Sequence, residues 1–313
     1  MAYDLFLKPT PTAPAENSGT AADGPDASLV RAWLAARPHY RLGESVAGRT
    51  RAVHYANQDT GVTFALDLAP AEGGAAGDPT LAAFGVDLLA PGFFADVAAT
   101  ELAALCGEFA LTADDPQAGT AGPFDPAAFR QTWGKTAELA ARHAAGRGRT
   151  PLHAPAASLN AAHAWNAARA DWRDRTASGG PGVPRVQLHR VSTDCGKTVV
   201  RTWCAWVDAA PIVLPPVDDV LLVRDALRPR KFGVFKSRDA ALSLVPRETV
   251  ATAPGFGPAP ERFPPGSRQL PAPDAATIKW FKGHPADPAP PDAVPPRAVV
   301  ESERLLAPAP AGT

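Results

Sequence analysis

Four side chains in the first quarter of the chain carry the groups that acid–base chemistry uses: His39, His54, Asp59 and Asp67. A carboxylate beside an imidazole holds the ring in one tautomer and raises its pKa, which makes the pair a working proton carrier. His54 and Asp67 lie on the two arms of a predicted hairpin, and a cross-strand contact follows if the register sets them together. The same pair on the wet face of a hairpin serves structure equally well. Nucleophilic catalysis asks for a Ser or Cys next to a His with an orienting carboxylate. The chain has no Gly-x-Ser-x-Gly elbow, and Cys106 follows Leu102 and Leu105 on a predicted apolar helix face, which reads as packing.

A second constellation is His189, Cys195 and Cys204, whose imidazole and thiolates are zinc-type ligands within one predicted hairpin. Neither Cys-x-x-Cys nor a paired-His spacing accompanies them, and Cys204 between Trp203 and Ala205 reads as a core thiol. His143, His153 and His163 recur every ten residues, but a Gly-Arg-Gly break separates the first two. Gly196-Lys197-Thr198 matches the end of a phosphate-binding loop. The glycine that such a loop needs five residues earlier is Val191, and Lys197 leads into a strand, so a hairpin turn is expected. No cofactor is implied.

The charge balance narrows the partners. Thirty-one Lys and Arg offset 32 Asp and Glu, leaving no net field to gather nucleic acid or an anionic membrane. The basic cluster Arg224, Arg228, Arg230, Lys231, Lys236 and Arg238 is broken by Asp225 and Asp239 and reads as a solvated face. Three cysteines are too few for a disulfide framework and fit a reducing compartment. The N-terminal residues lack the basic and apolar regions of a signal peptide, and no run has the roughly 18 apolar residues of a membrane span. A cytoplasmic protein without membrane or nucleic-acid partners is expected. Seven tryptophans suit either a core or the anchors of a protein–protein interface.

Positioning these groups calls for both helices and strands. Val62, Phe64, Leu66 and Leu68 alternate after the Asn57-Gln58-Asp59-Thr60-Gly61 turn, which predicts a hairpin with Arg51 to Ala56 as its other arm. Ser28 is the expected cap of a short helix from Leu29 to Ala36. Amphipathic helices are predicted after Pro91, after the Asp125-Pro126 cap, and from about Pro155 to Thr176. The run Ser178 to Gly182 then marks a boundary, giving an α+β half over 1–177 and a mostly β half over 183–313, either as two closely packed halves or as one continuous domain. Strands are expected at Val183 to Val191, Thr198 to Val207, Val220 to Arg224, Phe232 to Phe235, Leu242 to Val245 and Arg297 to Leu306. Thirteen prolines between Pro254 and Pro296 restrict that span to turns and edges, with a short helix capped by Asp274.

The expected fold is α+β: antiparallel hairpin strands with about three amphipathic helices, and a C-terminal half joined by Pro-rich connections. Five stretches, Met1 to Phe6, His39-Tyr40, Tyr55 to Phe64, Leu111 to Gln117 and Leu214 to Asp218, resemble an uncharacterised family of soluble bacterial proteins with a Tyr-x-Asn-x-Asp-Thr-Gly-Val hairpin motif. The resemblance transfers no activity or site residue. Its implication is a partner-binding role, such as an immunity protein that neutralises a bacterial toxin. The competing expectation is a hydrolase or transferase using His54, Asp59 and Asp67.

Overall fold

A computed structural model describes residues 1–10, 25–43, 52–68, 80–148, 151–175, 180–193, 195–227, 241–286 and 290–306. Its mixed α+β fold contains seven α-helices and 17 strands among these residues, in sheets rich in antiparallel pairs. The chain forms two compact units, residues 1–151 with 296–313, and residues 152–295. The division therefore falls at 151/152 and 295/296 instead of the Gly/Pro run at 178–182.

The first unit is built on β1 (Ala2–Pro9), β2 (Tyr40–Leu42), β3 (Ala52–Ala56), β4 (Thr63–Leu68), β5 (Ala82–Asp87), β6 (Leu111–Asp115) and β7 (Thr120–Pro123), with α1 (Ala27–Ala35), α2 (Gly92–Phe109) and α3 (Pro126–Gly146). The strands form one antiparallel sheet in the order β2-β3-β4-β5-β1-β6-β7. Tyr3, Leu5 and Leu7 alternate inward on β1, as Phe64, Leu66 and Leu68 do on β4, because the pleat sends successive side chains to opposite faces. On that inner side Tyr55 stacks on Phe64 at 4.4 Å, and the aromatic row runs on through Phe84 to Phe129 of α3. Helix α3 starts where Asp125 Oδ1 accepts the amides of Ala127 and Ala128, the cap that its sequence predicts. Helix α1 differs from expectation. Its cap is Asp26, whose carboxylate takes the Ser28 amide, and Ser28 lies inside the helix.

The last stretch returns to this unit as the strand Val299–Glu301 and the helix Ser302–Leu306, in place of a continuous strand to Leu306. Arg304 explains the turn inward. Its guanidinium lies over the Trp133 ring, pairs with Glu301 at 2.7 Å and donates to the Ala90 carbonyl.

The second unit contains β8 (Leu152–Ala154), α4 (Ala156–Asp174), β9 (Gln187–Ser192), β10 (Thr198–Val207), β11 (Ile212–Leu214), β12 (Asp219–Arg224), β13 (Ala241–Pro246), α5 (Arg247–Ala251), β14 (Gly257–Pro258), β15 (Arg268–Leu270), α6 (Ala275–Lys282) and β16 (Asp292–Val294). A five-stranded sheet runs β13-β12-β10-β9-β16, with β10 and β12 parallel and the other neighbours antiparallel; β11, β15 and β14 form a smaller sheet. Its core joins Trp165 of α4, Cys204 and Trp206 of β10, Leu222 of β12 and Phe281 of α6.

Polar side chains hold α4 in this unit. Trp165 Nε1 donates to the Pro184 carbonyl at 2.8 Å and Arg169 Nε to that of Val183 at 2.9 Å. Asn166 exchanges two bonds with the backbone of Val186. The helix is thus clamped to the strand-like segment beyond the Gly/Pro run, which is why that run is no boundary between units.

Arg224 departs from the predicted solvated face. It is 2% exposed and donates to the carbonyls of Phe281 and His284 and to Ser243 Oγ. The other five residues of that cluster, and the strand expected at Phe232 to Phe235, lie outside the described residues.

Candidate functional site

A cleft of about 360 Å³ opens in the second unit beside the first turns of α4. Ala157, Ala161 and Trp165 of the helix, Val186, and the run Pro215 to Val217 give it apolar walls. Ser158, Thr202, Asp218 and Arg247 supply its polar groups. The parallel pairing of β10 with β12 creates this juxtaposition, since it brings Trp203 level with Asp219 and so sets Thr202 beside Asp218.

Asp218 is held from below. Its Oδ2 accepts the Thr202 amide at 2.7 Å and the Thr202 hydroxyl at 2.8 Å, while its own amide donates to Thr202 Oγ1 at 3.0 Å. Oδ1 has no partner among the described residues. Arg247 is held likewise: Nε donates to the Pro215 carbonyl at 3.1 Å and Nη2 donates to the Gly266 carbonyl. Its backbone amide donates to the Asp218 carbonyl at 3.0 Å. Among the described residues the two charges form no salt bridge with each other. The cleft therefore presents one fixed carboxylate oxygen and one fixed guanidinium edge over an apolar wall. Both groups are pre-ordered by backbone and hydroxyl partners.

The next residue serves the opposite face of the sheet. Asp219 accepts from His189 Nε2 at 3.0 Å and from Arg201 Nε at 2.9 Å. His189 is 1% exposed and Asp219 6%, and the Trp203 ring lies 6.4 Å from the imidazole. No Ser or Cys side chain is bonded to His189 among the described residues.

The sequence-predicted zinc set does not converge. His189 pairs with Arg201 across the strands and shares its face, whereas Cys204 points into the core on the other face. Cys195 is exposed in the turn. No cluster of three or more His, Cys, Asp or Glu among the described residues is placed to hold a metal ion. Burial pushes the Cys204 thiol up, while the Thr193 hydroxyl and the Lys197 amide lower that of Cys195. Gly196 is at φ +74°, and Thr193 accepts the amides of Gly196 and Lys197, so this segment is a hairpin turn.

At the first hairpin, Ala65 faces His54 and Ala52 faces Asp67. His54 and Asp67 are thus diagonal on the exposed face, and no hydrogen bond or ion pair joins them. Asp59 belongs to the turn, where Asn57 Oδ1 accepts its amide and that of Thr60. His39 is exposed at φ +71°, with its ring 5.7 Å from Tyr55. His143 lies on α3, His153 on β8 and His163 on α4. Trp133, Trp165, Trp203 and Trp206 are buried, so these four serve cores.

Thr202, Asp218 and Arg247 escaped sequence reasoning as site residues. The signal available was the Pro-Pro-Val-Asp-Asp run, which reads locally as a loop entering a strand.

The fold is mixed α+β, and the second unit carries a small, mostly apolar cleft. Comparison with protein-family models, with characterised proteins and with solved structures returned no match. No helix among the described residues is long and apolar enough to cross a membrane.

Proposed function

We propose that this chain is a non-enzymatic binding protein that docks another protein through the cleft of its second unit. The observation that carries the reading is the pair Asp218 and Arg247, each anchored by backbone or hydroxyl groups and each left with an open polar atom over apolar walls. Side chains already fixed lose little entropy on binding, which favours affinity. The specific form of the reading is an immunity protein of the bacterial cytoplasm whose partner is a toxin. It draws on the resemblance of the hairpin motif and on the absence of a nucleophile bonded to His189 among the described residues.

The test uses the full chain as bait in extract of its own cells, beside an Ala161→Trp variant that fills the cleft from an exposed helix position. A protein captured by the natural chain and lost with the variant, toxic when expressed alone and harmless when co-expressed, is the expected result. Equal capture by both chains, or no partner at micromolar concentration, overturns the reading.

A further inference from the structure

The open atoms of the cleft specify which part of a partner fits, an inference that rests on the docking role above. Arg247 offers its Nη1 edge, since Nε and Nη2 are engaged by the Pro215 and Gly266 carbonyls. No carboxylate among the described residues lies within salt-bridge distance of it, and a fixed guanidinium with a free edge selects an anion. Asp218 offers only Oδ1, an acceptor for one N–H. Trp165, Val186 and Val217 offer apolar surface. The ligand must thus bring an anion, an N–H donor and an apolar group within about 360 Å³, the small end of ligand sites.

One residue of a polypeptide brings all three: the last. Its α-carboxylate and amide N–H flank the same Cα, and its side chain remains available for the wall. An internal Asp or Glu brings the anion but spends its side chain doing so, leaving nothing for Trp165. An internal apolar residue brings no anion. We propose that the cleft captures the free carboxyl terminus of a partner chain that ends in an apolar residue. The terminal carboxylate meets Arg247, the terminal amide N–H meets Asp218 Oδ1, and the side chain packs on Trp165 and Val186. This is a terminal-carboxylate mode of peptide recognition built on a side-chain guanidinium.

The test is isothermal titration of the full chain with acetylated tripeptides. One ends in leucine with a free carboxylate, one is its C-terminal amide, and one ends in aspartate with a C-terminal amide; free leucine is the fourth probe. The free-acid leucine peptide is expected to bind at least about tenfold more tightly than either amide. Arg247→Gln should erase that preference, and Ala161→Trp, which leaves both anchored charges intact, should abolish binding. Circular dichroism confirms that each variant is folded. Equal binding of acid and amide, no binding of the acid peptide at millimolar concentration, or free leucine binding as tightly as the peptide each overturns the inference. The two readings fail separately: a captured partner that still needs an open cleft after losing its last residues removes the terminus proposal alone, and one indifferent to Ala161→Trp removes the docking role.

Discussion

Asn166 and Val186 bond each other in both directions: Asn166 Nδ2 donates to the Val186 carbonyl at 2.8 Å, and the Val186 amide donates to Asn166 Oδ1 at 2.9 Å. The side chain acts as one more rung of a strand ladder, and it holds α4 against the segment that forms one wall of the cleft. Both groups are buried, so water cannot replace either bond.

Replacing Asn166 by Ala leaves a buried N–H and a buried C=O without partners. Each costs about 1–3 kcal/mol, so Asn166→Ala is expected to destabilise the second unit by roughly 2–6 kcal/mol. Asn166→Asp keeps the acceptor but loses the donor and buries a charge, and should cost at least as much. Urea unfolding followed by tryptophan fluorescence checks this, Trp165 being the adjacent reporter. A midpoint unchanged in the Ala variant sinks the ladder argument.

Helix α6 carries a pH-dependent cap. The backbone N–H and then the hydroxyl of Thr277 hold the Asp274 carboxyl below its ordinary value of 3.8. A depressed folded-state pKa contributes stability that is present above the unfolded value and lost as pH falls through the folded one. Asparagine caps helices without titrating. The stability difference between natural chain and Asp274→Asn should therefore stay constant from pH 7 to about 5 and shift against the natural chain below pH 4. Denaturation midpoints from pH 7 to pH 2 read it directly; a difference flat over the whole range contradicts the assignment.

The three thiols should separate by reactivity, because the thiolate is the nucleophile. Cys195 is exposed with its pKa lowered, Cys106 is pushed up to about 12 by burial, and Cys204 is raised further by complete burial. A disulfide reagent at pH 8 should label one thiol quickly in the folded chain and the other two only after denaturation. Cys195→Ser should remove the fast phase. Two fast thiols in the natural chain would show that a second cysteine is open to solvent.

These elements also show what a single sequence reveals. The hairpin of β3 and β4 was legible because Val62, Phe64, Leu66 and Leu68 alternate without interruption after an Asx turn. The start of α3 was legible because Asp-Pro is a local cap signal, satisfied within three residues. The hairpin of β6 and β7 was not predicted, since Ala113 and Asp114 carry little strand preference and are held in place by β1. Asp26 and Ser28 compete for one cap, and only the backbone decides between them. The Gly/Pro run near residue 180 looked like a boundary because its local composition says nothing of Trp165, Asn166 and Arg169 reaching past it. The cleft was illegible for a related reason. Thr202, Asp218 and Arg247 belong to separate elements, and the parallel β10–β12 neighbourhood that unites the first two has no signature in either strand alone.

Gly61 closes the first hairpin at φ +76°, with its amide donating to the Asn57 carbonyl at 2.8 Å. A Cβ at this position would meet the Pro296 ring at 3.0 Å, within the same unit. Gly61→Ala thus faces two separable costs: about 1–2 kcal/mol for a left-handed L-residue, and crowding against a ring that cannot rotate away. Pro296→Ala removes the ring but leaves the backbone cost. In a double-mutant cycle the paired variant should recover part of the loss, with a coupling of roughly 0.5 kcal/mol or more. Strict additivity would place the whole cost in the backbone and leave Pro296 without a role in positioning the turn.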